Sequence, residues 1–153
     1  MAGALLTLIG RSWHRNTLAF DTMQPEESYP SMPGIHNGTI TPQETIMISR
    51  LSTYPCPGTG GHTTSARIWN DDSFNVTTSW TGYQGDRHTI SFDLVFILEA
   101  GTTYNYTLET ASYPQSNHNA TLTAPASTIT CTSFTDRNGQ VHHDWIPAIR
   151  LFL

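Results

Sequence analysis

The sequence predicts an all-β domain, a β-sandwich or jelly roll, behind an irregular N-terminal segment. Three observations carry this. Short alternating runs recur at about ten-residue spacing with turn clusters between them. No segment sustains a 3.6-residue apolar period. The composition is poor in charge (12% Asp, Glu, Lys and Arg), has no Lys, and holds 24 Thr and 13 Ser. Thr suits a half-exposed strand face, whereas surface helices draw on Lys and Glu.

Each element follows from its own stretch. Residues 1–33 lack a period and end in the Pro-rich PEESYPSMPG, which reads as a leader or linker before a domain spanning 34–153. Residues 39–48 and 49–54 read as two short strand-like runs, the first broken by Pro42, and residues 55–61 (PCPGTGG) as a rigid loop. Residues 64–69 alternate, with Ala66 and Ile68 on one face and Arg67 and Trp69 on the other; Asn70-Asp71-Asp72 is a turn. Residues 74–80 alternate again, with Asn75 on the polar face. Residues 88–96 are the strongest strand, with Ile90, Phe92, Leu94 and Phe96 on one side. A turn at 99–101 leads to residues 103–110, where Tyr104, Tyr106 and Leu108 alternate with Asn105. Residues 121–123 and 128–134 are further strands, Asp136-Arg137-Asn138-Gly139 is a hairpin turn with Gly where φ is positive, and 141–153 closes the chain.

Two features point to an extracellular compartment. Asn37, Asn75, Asn105 and Asn119 each begin an Asn-x-Thr triplet, about twice the number that chance would give in a chain this rich in Ser and Thr. Cys56 and Cys131 stand far apart with no Cys-x-x-Cys spacing, so a disulfide is the expected state and two buried free thiols the alternative. Such a bridge would close a loop of about 75 residues and add roughly 4 kcal/mol. The net charge of −5 without a basic run argues against nucleic acid and anionic membranes. Residues 2–10 (AGALLTLIG) are apolar, but too short to span a bilayer and without a preceding positive charge. Such a stretch could pair with the sheet edge of another copy.

Candidate chemistry is sparse. Among the seven histidines, His62, His88 and His118 sit near loop edges where they could converge on a metal, the basis of a small metal-dependent enzyme. Asp71 and Asp72, with Asp86, could form a loose calcium site between loops. No nucleophile motif or embedded carboxylate pair supports a catalytic residue. Trp69, Tyr83 and Tyr113 fall near strand ends or loops and are candidate stacking platforms for sugar rings, while Trp80 and Trp145 read as core.

Several stretches carry a resemblance: YPSMPGIHNGTI at 29–40, YPCPGTGGHT at 54–63, W-x-G-Y-x-G-D at 80–86, LEAGTTYNYTLETASYP at 98–114, CTSFTDRNGQ at 131–140 and DWIPAIRL at 144–151. From Pro30 onward the chain resembles a domain of unknown function found in archaeal cell-surface, S-layer-associated proteins. The chain departs from that pattern at Arg87, where an aromatic is expected, and at Ala111, where a Gly is expected. A positive φ at Ala111 would cost about 1 kcal/mol. The resemblance implies an exposed β module, often one among others, and no catalyst. The expected role is thus a non-catalytic surface module with a structural, adhesive or assembly function. Its expected partners are other surface modules or copies of itself, and a carbohydrate-binding module is the second reading.

Overall fold

The alternating runs pair into antiparallel strands, and the strands stack as two sheets. A computed structural model describes residues 17–71, 73–80 and 88–153, and among them there is no helix. In chain order the strands are β1 (Leu18–Asp21), β2 (Gly34–Pro42), β3 (Ile46–Thr53), β4 (Thr63–Trp69), β5 (Asn75–Ser79), β6 (Thr89–Leu98) and β7 (Tyr104–Thr110). They continue with β8 (Ser116–Asn117), β9 (Thr121–Ala124), β10 (Ser127–Asp136), β11 (Val141–His142), β12 (Ile146–Pro147) and β13 (Ile149–Phe152). The smaller sheet has the order β1-β13-β3-β6, and the larger β11-β10-β2-β7-β4-β5 with β9 also on β10; β8 and β12 pair separately. The chain is a β-sandwich.

The period of two makes the core. In β2, His36, Gly38 and Ile40 turn inward while Asn37, Thr39 and Thr41 turn outward. Ile40, Ile68, Tyr106, Leu108, Ile129 and Phe134 of the larger sheet meet Phe20, Ile48, Leu51, Phe96, Leu98 and Leu151 of the smaller. Each such side chain contributes about 1.5–3 kcal/mol on burial. Gly38 lies beneath Tyr106, whose hydroxyl passes over it to donate to the Thr130 carbonyl at 2.7 Å. A Cβ at residue 38 would fall on that same carbonyl oxygen and 2.6 Å from the Tyr106 hydroxyl.

Two of the predicted turns hold. Gly139 has φ of 85° and donates its N–H to the Asp136 carbonyl, and Gly101 has φ of 81° between β6 and β7.

Five expectations change. First, the segment read as leader or linker supplies β1, whose Phe20 is buried in the core, and the Ser31 hydroxyl donates to the Pro114 carbonyl. The partner of β1 is β13, at the other end of the chain, so no local pattern reveals it. Second, the two runs at 39–48 and 49–54 divide differently: β3 is one strand with an irregularity between Ile48 and Arg50. Third, Leu94 does not share the buried face of Ile90, Phe92 and Phe96 but is 50% exposed. β6 pairs Phe96 with Ile48 yet Ser91 with Arg50, so it carries three extra residues there, and Asp93 takes a positive φ of 62°. The bulge interrupts the alternation at Leu94, and the pattern resumes in the same phase with Phe96 and Leu98 buried. Fourth, the positive φ expected at Ala111 falls on Ser112, at 62°.

Fifth, Cys56 and Cys131 form no disulfide; both are free and buried. Their thiols are engaged elsewhere. Cys56 Sγ donates to the Ser28 carbonyl at 3.4 Å, from the loop between β3 and β4. Cys131 lies within β10, and its sulfur faces the backbone N–H of Trp145.

Candidate functional site: the outer face of the larger sheet

Strand register decides which side chains are neighbours, because residues directly opposite share a face. Across the larger sheet one row reads Asn75, Trp69, Asn105, Thr39, Thr130 and Thr121, contributed by β5, β4, β7, β2, β10 and β9. The next row reads Thr77, Arg67, Thr107, Asn37 and Ser133. Strands about 4.8 Å apart make the span from β5 to β10 roughly 19 Å, and successive rows are about 7 Å apart. The face is made of hydroxyls and amides, with Trp69 and Arg67 as its one aromatic–cation pair in these rows.

The hydroxyls bond one another across strands. Thr39 Oγ1 and Thr130 Oγ1 are 2.7 Å apart, and Thr41 Oγ1 and Thr103 Oγ1 are 2.9 Å apart. The Thr107 hydroxyl donates to Asn37 Oδ1 at 2.6 Å. Arg67 Nε donates to Asn75 Oδ1 at 2.9 Å, and the Arg67 guanidinium lies 4.0 Å from the centroid of the Trp69 ring.

Three of the four sequon asparagines therefore stand on one face in two adjacent rows. The Asn37 and Asn105 triplets run antiparallel against each other: Asn37 opposes Thr107, the Thr of the second triplet, and Thr39, the Thr of the first, opposes Asn105. Asn75 is exposed on β5, the edge strand, while Asn37 and Asn105 are half-buried between neighbours. In Asn75 and Asn37 the amide oxygen accepts a protein hydrogen bond, and Nδ2 makes none among the described residues. Asn119 is exposed elsewhere, lining a polar cleft with Gln24, Glu26, Glu27, Asn117 and His118.

The other candidates do not come together. Trp69 ends β4 and Tyr113 follows β7; since Trp69 pairs with Asn105 and Thr63 with Thr110, the two aromatics lie at opposite ends of β4, roughly 20 Å of strand apart. Tyr83 lies outside the described residues, as do Asp72 and Asp86. His62 packs tilted against Trp80 and precedes β4, whereas Asp71 follows it at the far end. His88 precedes β6 and gives its carbonyl to Thr53 N. His118 stacks on Trp145 and its Nε2 contacts the Pro30 carbonyl. Among the described residues no three His, Cys, Asp or Glu side chains gather as a metal site.

Sequence reasoning missed a second cluster, around Trp145. His142 and His118 both stack on the indole, at 4.3 and 4.5 Å, and His142 Nε2 meets Asp136 Oδ2 at 2.9 Å. The bond to His142, with N–H groups of Gln140 and Asn138 on the carboxylate, holds the Asp136 pKa below its ordinary value. His36 is buried between the sheets, stacked on Phe134, and burial pushes its pKa down to about 3. Its Nδ1 lies 3.4 Å from the Trp145 carbonyl, so the proton sits on Nδ1. Burial raises the Cys131 pKa, which leaves a thiol with little nucleophilic thiolate. These residues hold the end of the sandwich where the sequence motifs meet. Gln115 N donates to Tyr54 O, Cys56 N to Tyr113 O, and Ala148 N to Gln115 O.

No protein-family model, curated protein or solved structure matches the chain.

Proposed function

We propose that the chain is a non-catalytic module of an extracellular surface, with the outer face of its larger sheet turned to the surroundings and carrying N-linked glycans. Its role is structural, adhesive or in assembly. One observation supports this above the others: Asn75, Asn105 and Asn37 stand in adjacent rows of one outward, nearly uncharged face. Glycans there would project into solvent and would shield the β5 edge from pairing with other chains. With both cysteines free, the compartment reading rests on these sequons and not on a bridge. The motif resemblance to archaeal surface domains points the same way.

A carbohydrate-binding module is the second reading, on the same hydroxyl-rich face around Trp69. It is less favoured because Trp69 and Tyr113 do not form a joint platform. The test is cellular. Membrane-impermeant labelling of intact source cells, followed by fractionation, should find the chain in the labelled surface or secreted fraction. A cytosolic, unlabelled chain would overturn the reading.

A further inference from the structure

Asn75, Arg67 and Trp69 form one connected unit on the outer face. Trp69 is directly opposite Asn75 on the neighbouring strand, and Arg67 is two residues before Trp69 on the same side. The Arg67 guanidinium lies 4.0 Å from the indole centroid, so cation and ring make a layered slab. From that slab Arg67 Nε holds Asn75 Oδ1 at 2.9 Å. The bond uses the amide oxygen, which an N-glycosylated asparagine retains. It leaves Nδ2, the atom that a sugar is joined to, without a hydrogen-bond partner among the described residues.

We propose that the Arg67–Trp69 slab is the seat of the first sugar attached to Asn75. This rests on the reading of the face as a glycan-bearing surface and names the sugar-contacting residues. The sugar would arrive from a glycosyl diphosphate donor. The C1–O bond to the diphosphate breaks, a C1–Nδ2 bond forms, and Nδ2 loses one proton while the diphosphate leaves. The product amide keeps its Oδ1, so the Arg67 bond survives and fixes the amide plane. With that plane fixed, the sugar lies beside the slab, and its apolar C–H face can cover the indole and the guanidinium plane. A hexose-sized ring fits the geometry, because the strand spacing sets Asn75 and Trp69 about 5 Å apart at their Cβ atoms. The neighbouring hydroxyls of Thr77 and the amide of Asn105 stand within the same two rows to bond sugar hydroxyls.

A double comparison tests this. The full chain is secreted from an N-glycosylating host as wild type, W69A, R67A and T77V, the last removing the sequon, together with W69A/T77V and R67A/T77V. Glycopeptide mass spectrometry first reads occupancy at Asn75, and thermal unfolding follows. The sugar should raise the midpoint of the wild type over T77V by several degrees, and W69A should abolish that increment, leaving W69A and W69A/T77V equal. Intrinsic tryptophan fluorescence should shift between wild type and T77V. An unmodified Asn75 overturns both this inference and its part of the glycan reading. A modified Asn75 whose stabilisation is the same with and without Trp69 overturns the inference alone. Trp69 is half-buried at a strand end, so if W69A does not fold, R67A supplies the same comparison.

Discussion

His36 is where a single side chain sets the acid response of the fold. Folded, its pKa is about 3; unfolded, it returns to about 6.5. Between those values the unfolded chain binds a proton that the native chain refuses, so stability is full above about pH 6.5 and falls as pH drops toward 3. The slope is at most about 1.4 kcal/mol per pH unit, which makes the loss from pH 7.5 to 5 about 2 kcal/mol. Asp136 acts in the same direction at lower pH, because its lowered pKa contributes stability that is lost as pH falls through the folded value. H36L should remove about 2 kcal/mol of the loss between pH 7.5 and 5 in urea unfolding. At pH 7.5 it should cost about 1 kcal/mol, because the Trp145 carbonyl loses its bond from His36. Equal pH dependence in the two proteins would refute the buried, neutral His36. The thiols give a second residue-scale prediction. Native protein should resist a thiol reagent for many minutes, and unfolded protein should take two labels without reductant. A mass two daltons lower and no labelling would restore the disulfide.

At the scale of elements, β2 bears the tightest constraint. It lies between β10 and β7, and Tyr106 crosses it at Gly38 to reach β10. A methyl at residue 38 meets backbone, which cannot swing aside as a side chain can. G38A should therefore cost about 3 kcal/mol, near the top of the range for overpacking, measured by chemical denaturation. A loss within 0.5 kcal/mol, the ordinary surface range, would mean that β2 and β10 are not held at this distance. The strands themselves were largely legible in the sequence. Alternation places Arg67 and Trp69 together, and Asn75 and Asn105 on polar faces, before any partner strand is known. What alternation cannot give is register. That Asn37 opposes Thr107 and that Asn75 opposes Trp69 are long-range facts, set by which strands meet. The bulge in β6 and the short β1 escaped for related reasons: three extra residues turn Leu94 outward without changing the sequence pattern, and four residues near the N-terminus gain their meaning from β13. The cysteine pairing failed because separation in sequence says nothing of where each thiol points.

The whole molecule has two unlike outer surfaces. The middle rows of the larger sheet present hydroxyls and amides, while the smaller sheet ends at β6, where Leu94, Val95 and Ile97 are each about half-exposed. The polar face gathers three of four sequons, and the account stands or falls on what those asparagines carry. Glycopeptide mapping of the chain secreted from an N-glycosylating host, or recovered from its source, tests this most directly. The account predicts a glycan on Asn75, the exposed edge position, and on at least one of its row neighbours Asn105 and Asn37. Recovery of all three as unmodified peptides from protein that has passed through a glycosylating compartment would contradict it.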